Sequence, residues 1–125
     1  MKKTVTIGMV GAGRATELHM QALAYVQCVH IRKKSIMAGH SESARRGQVK
    51  YEFEQTVEDI EEMLKDPEID VIDICSPPYT HDDYVIRTLE SGKYVICEKP
   101  LTGYFGVPED AEPIGKKVSK KKMYQ

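Results

Sequence analysis

Val5-Thr6-Ile7-Gly8-Met9-Val10-Gly11-Ala12-Gly13-Arg14 is the stretch that decides the fold. Val5, Ile7, Met9 and Val10 make a short apolar strand. From residue 14 to about residue 27, Ala15, Leu18, Ala22, Tyr25 and Val26 recur at intervals of three and four, the period of a helix with one buried face. Between strand and helix stand two glycines with Ala12 between them. Gly11 permits the tight turn, and Gly13 removes the Cβ that would block a pyrophosphate. The free N–H groups at the start of the helix, opened by Arg14, would then face the phosphate charge. The third position of the glycine fingerprint is Thr16, which predicts slightly looser packing of helix on strand. A glycine turn with no ligand is the bland alternative. The order strand, turn, helix favours binding.

Working outward, short apolar runs alternate with helical periods, as β-α-β units require. Residues 35–38 read as the second strand, entered through Arg32-Lys33-Lys34, and Ser41 can cap a short helix over 42–49. A brief strand is expected near 51–53. Thr56 and Asp59 fit a capping box, with Val57, Ile60, Met63 and Leu64 on the inner face of the helix that follows. Asp66-Pro67-Glu68 turns the chain into residues 71–75, a nearly continuous apolar run suited to a strand covered on both faces. Thr80 and Asp83 suggest a second capping box, and Ser91-Gly92 a helix stop. Residues 94–97 make the fifth strand. The expected fold is α/β: a Rossmann-type, doubly wound parallel sheet of strand order 3-2-1-4-5 over residues 1–100. Gly103, Gly106, Pro108, Pro113 and Gly115 break any period in 101–125, which reads as loop or tail.

The 125 residues suit one domain. A formal net charge of -1 provides no basic field, so neither nucleic acid nor a membrane surface is expected as a partner. Lys116, Lys117, Lys120, Lys121 and Lys122 read as a solvated tail. Cys28, Cys75 and Cys97 show no C-x-x-C spacing, and no metal site is expected. Cys75 and Cys97 end apolar runs, where buried reduced thiols are expected, and this favours a cytoplasmic setting. Residues 4–10 are too short for a signal core, and no segment approaches the length of a bilayer span.

Three segments together are more specific than the glycines. Val71-Ile72-Asp73-Ile74-Cys75-Ser76-Pro77-Pro78-Tyr79-Thr80-His81, then Leu89 to Val95, then Cys97-Glu98-Lys99-Pro100-Leu101 resemble the Gfo/Idh/MocA family of glucose–fructose oxidoreductase, inositol dehydrogenase and their relatives. The resemblance runs from about residue 4 to 102. It implies NAD(P) as cofactor and a sugar, cyclitol or related alcohol as substrate. It also implies that Gly11, Gly13 and Arg14 line the pyrophosphate, and that Ser76, Pro77 and His81 lie beside the ribose and nicotinamide. Glu98 and Lys99 would reach the nicotinamide ribose and the substrate hydroxyl, with Lys99 as the catalytic residue. Plainer readings stand beside these. His81 can be a solvated residue of a helix first turn, Lys99 a surface lysine, and Pro77-Pro78 a rigid strand exit.

No acidic residue occurs between Glu17 and Glu42, where NAD-specific sites place one to hold the ribose 2′-hydroxyl. Ser41 and Arg45, with Arg46, suit a 2′-phosphate, so the cofactor is NADP or NAD with NADP favoured. Arg45 and Arg46 can equally be plain helix surface. Family members continue into a second α/β domain that forms the substrate pocket, whereas this chain stops about 25 residues after Pro100. The expectation is therefore cofactor binding without turnover, in a homo-oligomer. A stand-alone dinucleotide-binding sensor or partner module, and a fragment of a longer enzyme, are the alternatives.

Overall fold

The computed structural model describes residues 2–101, so the reading of 102–125 as loop and solvated tail lies outside the described residues. The elements run β1 (Lys3–Val10), α1 (Arg14–Leu23), β2 (Val29–Met37), α2 (Ser41–Tyr51), β3 (Gln55–Thr56), α3 (Ile60–Leu64), β4 (Val71–Ile74), α4 (His81–Glu90) and β5 (Tyr94–Cys97). They form one sheet in the order β3-β2-β1-β4-β5, and each neighbouring pair is parallel. The expected architecture is the one observed.

Alternation along β1 sends side chains to two cores. Ile7 and Met9 join Ile36 and Phe53 on the face covered by α1, through Met20 and Leu23. Val10, Ile72 and Ile74 join Ile60 and Met63 on the other face, with Tyr84 and Val85 of α4 packed against them. Ile72 is wholly buried, and truncating such a residue to alanine costs about 2–5 kcal/mol. The expected inner face of α3 is the one that packs, since Val57 and Leu64 also border this core. Among the described residues no helix is long and apolar enough to cross a membrane.

Several boundaries differ from expectation, each for a local reason. The second strand begins at Val29 and carries Arg32, Lys33 and Lys34 inside it. Long pairing with β1 holds it extended, with a register shift at Ile7/Gly8 that leaves Lys34 without a partner across the ladder. The first helix stops at Leu23. The helix expected over 42–49 begins at Ser41, which is its first residue and not its cap, and runs to Tyr51. Left-handed Glu52, φ 61, ends it; Phe53 then enters the core, and the third strand forms only at Gln55–Thr56. The capping box before α3 belongs to Asp59 and Glu62, not to Thr56 and Asp59. No capping box precedes α4: a 3-10 turn, Pro78–Thr80, intervenes, and the Thr80 hydroxyl turns back to the Pro77 carbonyl at 2.6 Å. Gly92, φ 84, is the left-handed stop expected after α4. Thr16 is fully buried between α1 and the sheet. Cys75 and Cys97 are free but only half-buried.

Candidate functional site

The carboxyl ends of the strands define the site. Gly11 has φ 111, and a Cβ on it would stand 2.8 Å from the backbone of Cys75. Its N–H donates to the Met37 carbonyl at 2.7 Å, tying the β1 exit to the end of β2. The Cys75 N–H donates to Val10 O at 2.7 Å and the Glu98 N–H to Ile74 O at 3.0 Å, so the strand exits stay in register. Between them lies a cleft of about 750 Å³, bordered by Gly11, Gly13, Gly39, Ser76, Glu98 and Lys99. That volume falls in the ~300–1,000 Å³ range of small-molecule sites.

Gly13 is the N-cap of α1, with no side chain capping the helix, and nothing among the described residues lies within 4 Å of where its Cβ would be. Unpaired N–H groups therefore face open space at a helix start, the arrangement that receives an anion. Ala12, Pro77 and His81 also border the cleft. Arg14 does not border it; it is exposed and pairs with Glu17 at 3.0 Å. Ser41 and exposed Arg45 also stand outside the lining, while His40 and Ser43 take the places nearest the end of β2.

His81 is 1% exposed, so it is not a solvated helix residue. Its Nδ1 is 2.7 Å from Pro100 O and its Nε2 2.8 Å from Ser76 O. Both polar edges of the ring face carbonyls, and the side chain braces the loop after β4 against the residues after β5. Ser76 Oγ donates to Thr80 Oγ1 at 2.6 Å, because the Thr80 proton is already given to Pro77 O. These contacts set the wall of the cleft beside Lys99.

Sequence reasoning missed a second group of residues. Nδ1 of His19, on α1, lies 2.8 and 3.0 Å from the two carboxylate oxygens of Asp73, and its Nε2 lies 2.7 Å from Glu98 Oε2. Cys75 Sγ is 3.3 Å from the same Nδ1 and 3.5 Å from Asp73 Oδ1. Burial opposes charge on His19, but Glu98 and Asp73 outweigh it and hold the imidazole pKa above its usual value. Burial raises Asp73, with His19 partly offsetting it, while His19 and the Lys99 N–H lower Glu98. Burial and the Asp73 carboxylate push the Cys75 thiol up, so it is no nucleophile. The ligand-type atoms of His19, Asp73 and Cys75 lie within 4.8 Å of one another. At 2.8–3.5 Å they lie within hydrogen-bonding distance of one another. One signal was available in the sequence: Asp73 sits in a strand that must be buried, and a buried carboxylate needs a partner.

Fold and site define a class, an NAD-binding Rossmann domain, and residues 5–124 match the oxidoreductase family with an NAD-binding Rossmann fold. The chain belongs to the Gfo/Idh/MocA family. It is 36% identical over 104 residues to the scyllo-inositol 2-dehydrogenase (NAD(+)) of Bacillus subtilis, covering 82% of this chain and 30% of that one. It is 30% identical over 106 residues to the levoglucosan dehydrogenase of Pseudarthrobacter phenanthrenivorans, covering 79% and 27%. Levoglucosan dehydrogenase in complex with NADH and L-sorbose superposes with a TM-score of 0.75 at 29% identity, over 80% of this chain and 28% of that one. The chain thus spans about three-tenths of the length of the curated relatives it matches.

Proposed function

We propose that this chain binds a nicotinamide dinucleotide in the cleft. In the whole protein, a hydride would then pass between that cofactor and a sugar, cyclitol or related alcohol. The observation that carries the reading is the cradle at the start of α1, where Gly11 is required by the backbone of Cys75 and Gly13 leaves open space before unpaired N–H groups. A pyrophosphate fits that donor set. Ser76 and Glu98 border the same cleft and would hold the ribose of the nicotinamide half. Lys99 would polarise the reacting hydroxyl, the cofactor supplying the hydride chemistry. The alcohol substrate class rests on what the relatives are named for, levoglucosan and inositols.

The cofactor can be NADP as well as NAD. In support, among the described residues no acidic side chain borders the end of β2, where Ala38, Gly39, His40 and Ser43 line the cleft. Relatives named with NADH and NAD(+) favour NAD. Exposed Tyr94 and Ile96 on β5 support a homo-oligomer or a further domain over this face. Three free thiols suit a reducing, cytoplasmic setting. The test is calorimetric titration of the chain and of Gly13→Val with NADH and NADPH. Wild type should bind and the variant should not, since a branched side chain fills the cradle. Equal affinity in the two would overturn the site. A wild-type preference for NADH of about tenfold or more, ~1.4 kcal/mol, would overturn acceptance of the 2′-phosphate.

A further inference from the structure

His19 is not among the residues that line the cleft, yet it joins the deepest charge of the sheet to the rim of the cleft. On one side is Asp73, 1% exposed, in a strand paired with β1 and β5. On the other is Glu98, whose side chain is 39% exposed and borders the cleft. A neutral imidazole carries one N–H and can donate to only one of two ionised carboxylates. Both contacts are met when the Asp73–His19 pair holds one further proton, as imidazolium and carboxylate or as imidazole and carboxylic acid. In either form Nε2–H donates to Glu98.

We propose that His19 is the positioning residue of the cleft, holding Glu98 toward a bound dinucleotide when the Asp73–His19 pair carries its extra proton and releasing it when that proton leaves. The release falls on Glu98 and not on Asp73 for a physical reason. Water can solvate the half-exposed Glu98 carboxylate, whereas Asp73 has no route to solvent and must keep Nδ1–H. The raised pKa of His19 brings this proton loss above the usual imidazole range. Among the described residues the titratable groups around the ring are few. Asp73 and Cys75 face it from β4 and the β4 exit, and Glu98, with Lys99 beside it, from beyond β5. On α1 itself, Arg14 and Glu17 pair with each other. From α4, His81 is taken up by the Ser76 and Pro100 carbonyls. This inference rests on the dinucleotide reading of the cleft and adds regulation to it.

The experiment is fluorescence titration of the chain with NADH between about pH 6 and about pH 9, a range that spans histidine titration. Affinity should fall by about tenfold across it, the loss expected for one charge-assisted hydrogen bond. His40 and His81 also border the cleft, so the profile is assigned with variants. His19→Gln should flatten it, and Glu98→Gln, which leaves buried Asp73 paired, should flatten it as well. NMR titration of the His19 ring, without cofactor, should show its midpoint lowered in Glu98→Gln. A profile that survives His19→Gln, or a wild-type affinity that does not change with pH, overturns this proposal alone. Absence of NADH binding at every pH overturns the dinucleotide reading and this proposal together.

Discussion

Two ionic clusters occupy opposite ends of the sheet, and they use nearly the same distances. Toward the amino ends of the strands, Arg32 bonds Glu54 and Glu68, each at 2.7 Å, and Lys34 reaches Asp66 at 2.6 Å and Glu68 at 3.1 Å. At the carboxyl ends, His19 bonds Glu98 at 2.7 Å and Asp73 at 2.8 Å. Exposure separates them. In the first cluster Arg32, Glu54 and Glu68 have 36–53% of their side chains in solvent and even Lys34 and Asp66 keep 16% and 14%, while Asp73 in the second has 1%. Water reaches every partner in the first cluster, whereas in the second it reaches Glu98 but not Asp73, so similar geometry carries unequal energy.

The exposed cluster has its own reason to exist. The two-residue β3 pairs only Ser35 and Ile36, leaving most of the outer edge of β2 open. Charged side chains on an open edge discourage pairing with another chain. Arg32, Lys33 and Lys34 therefore sit in a strand that a reading of hydrophobicity alone would start later.

The largest expected effect is at the buried cluster. His19→Ala leaves Asp73 without its partner and should destabilise the chain by about 2–3 kcal/mol, read as a lower urea midpoint. A loss within error would erase the contrast between the two ends. Next in size is the response to pH, where the clusters should fail at opposite ends of the scale. His19 has a folded pKa above its usual 6.5, so its stabilisation is complete below that value and is lost as pH rises through the folded pKa. Asp73, raised by burial, erodes stability in the same direction as pH climbs through the carboxylate range. Glu54, lowered by Arg32, and Glu68, lowered by Lys34 and then Arg32, contribute above their unfolded pKa and lose that contribution as pH falls. Asp66 behaves alike: burial raises it, but Lys34 and the Glu68 N–H bring it down overall. Urea midpoints for wild type and His19→Gln should therefore converge near about pH 9 and part near about pH 6. Convergence on the acid side instead would reverse the assignment. The smallest effect is expected for Arg32→Ala, a slight drop at low salt that vanishes at about 1 M NaCl. A drop that persisted at high salt would mean Arg32 packs and does not merely pair.

The order of elements, the parallel sheet and the glycine turn were legible in the chain because each depends on neighbours in sequence. A period of two or three to four, a glycine after a strand, and Gly92 after a helix are local facts. The Glu98-Lys99 segment was legible through its resemblance to a family, to which the chain does belong. Where local signals competed, reading along the chain went astray. Thr56 read as the cap of α3 with Asp59 as its capping-box partner, but in the structure Asp59 is itself the cap and Glu62 its partner, because the chain leaves β3 through Val57, packed on the core.

What the sequence by itself determined is thus a doubly wound sheet with an uncapped, glycine-opened helix at its centre, since strand and helix periods and backbone freedom at Gly11 follow from side-chain chemistry alone. Only the tertiary structure decided that His19, Asp73 and Glu98 meet. They are separated by 54 and 79 positions along the chain, and nothing in their spacing announces contact. They are joined because the fold lays α1 over the sheet, with Thr16 buried beneath it. Asp73 in β4 must then find its partner across that interface, where water does not reach.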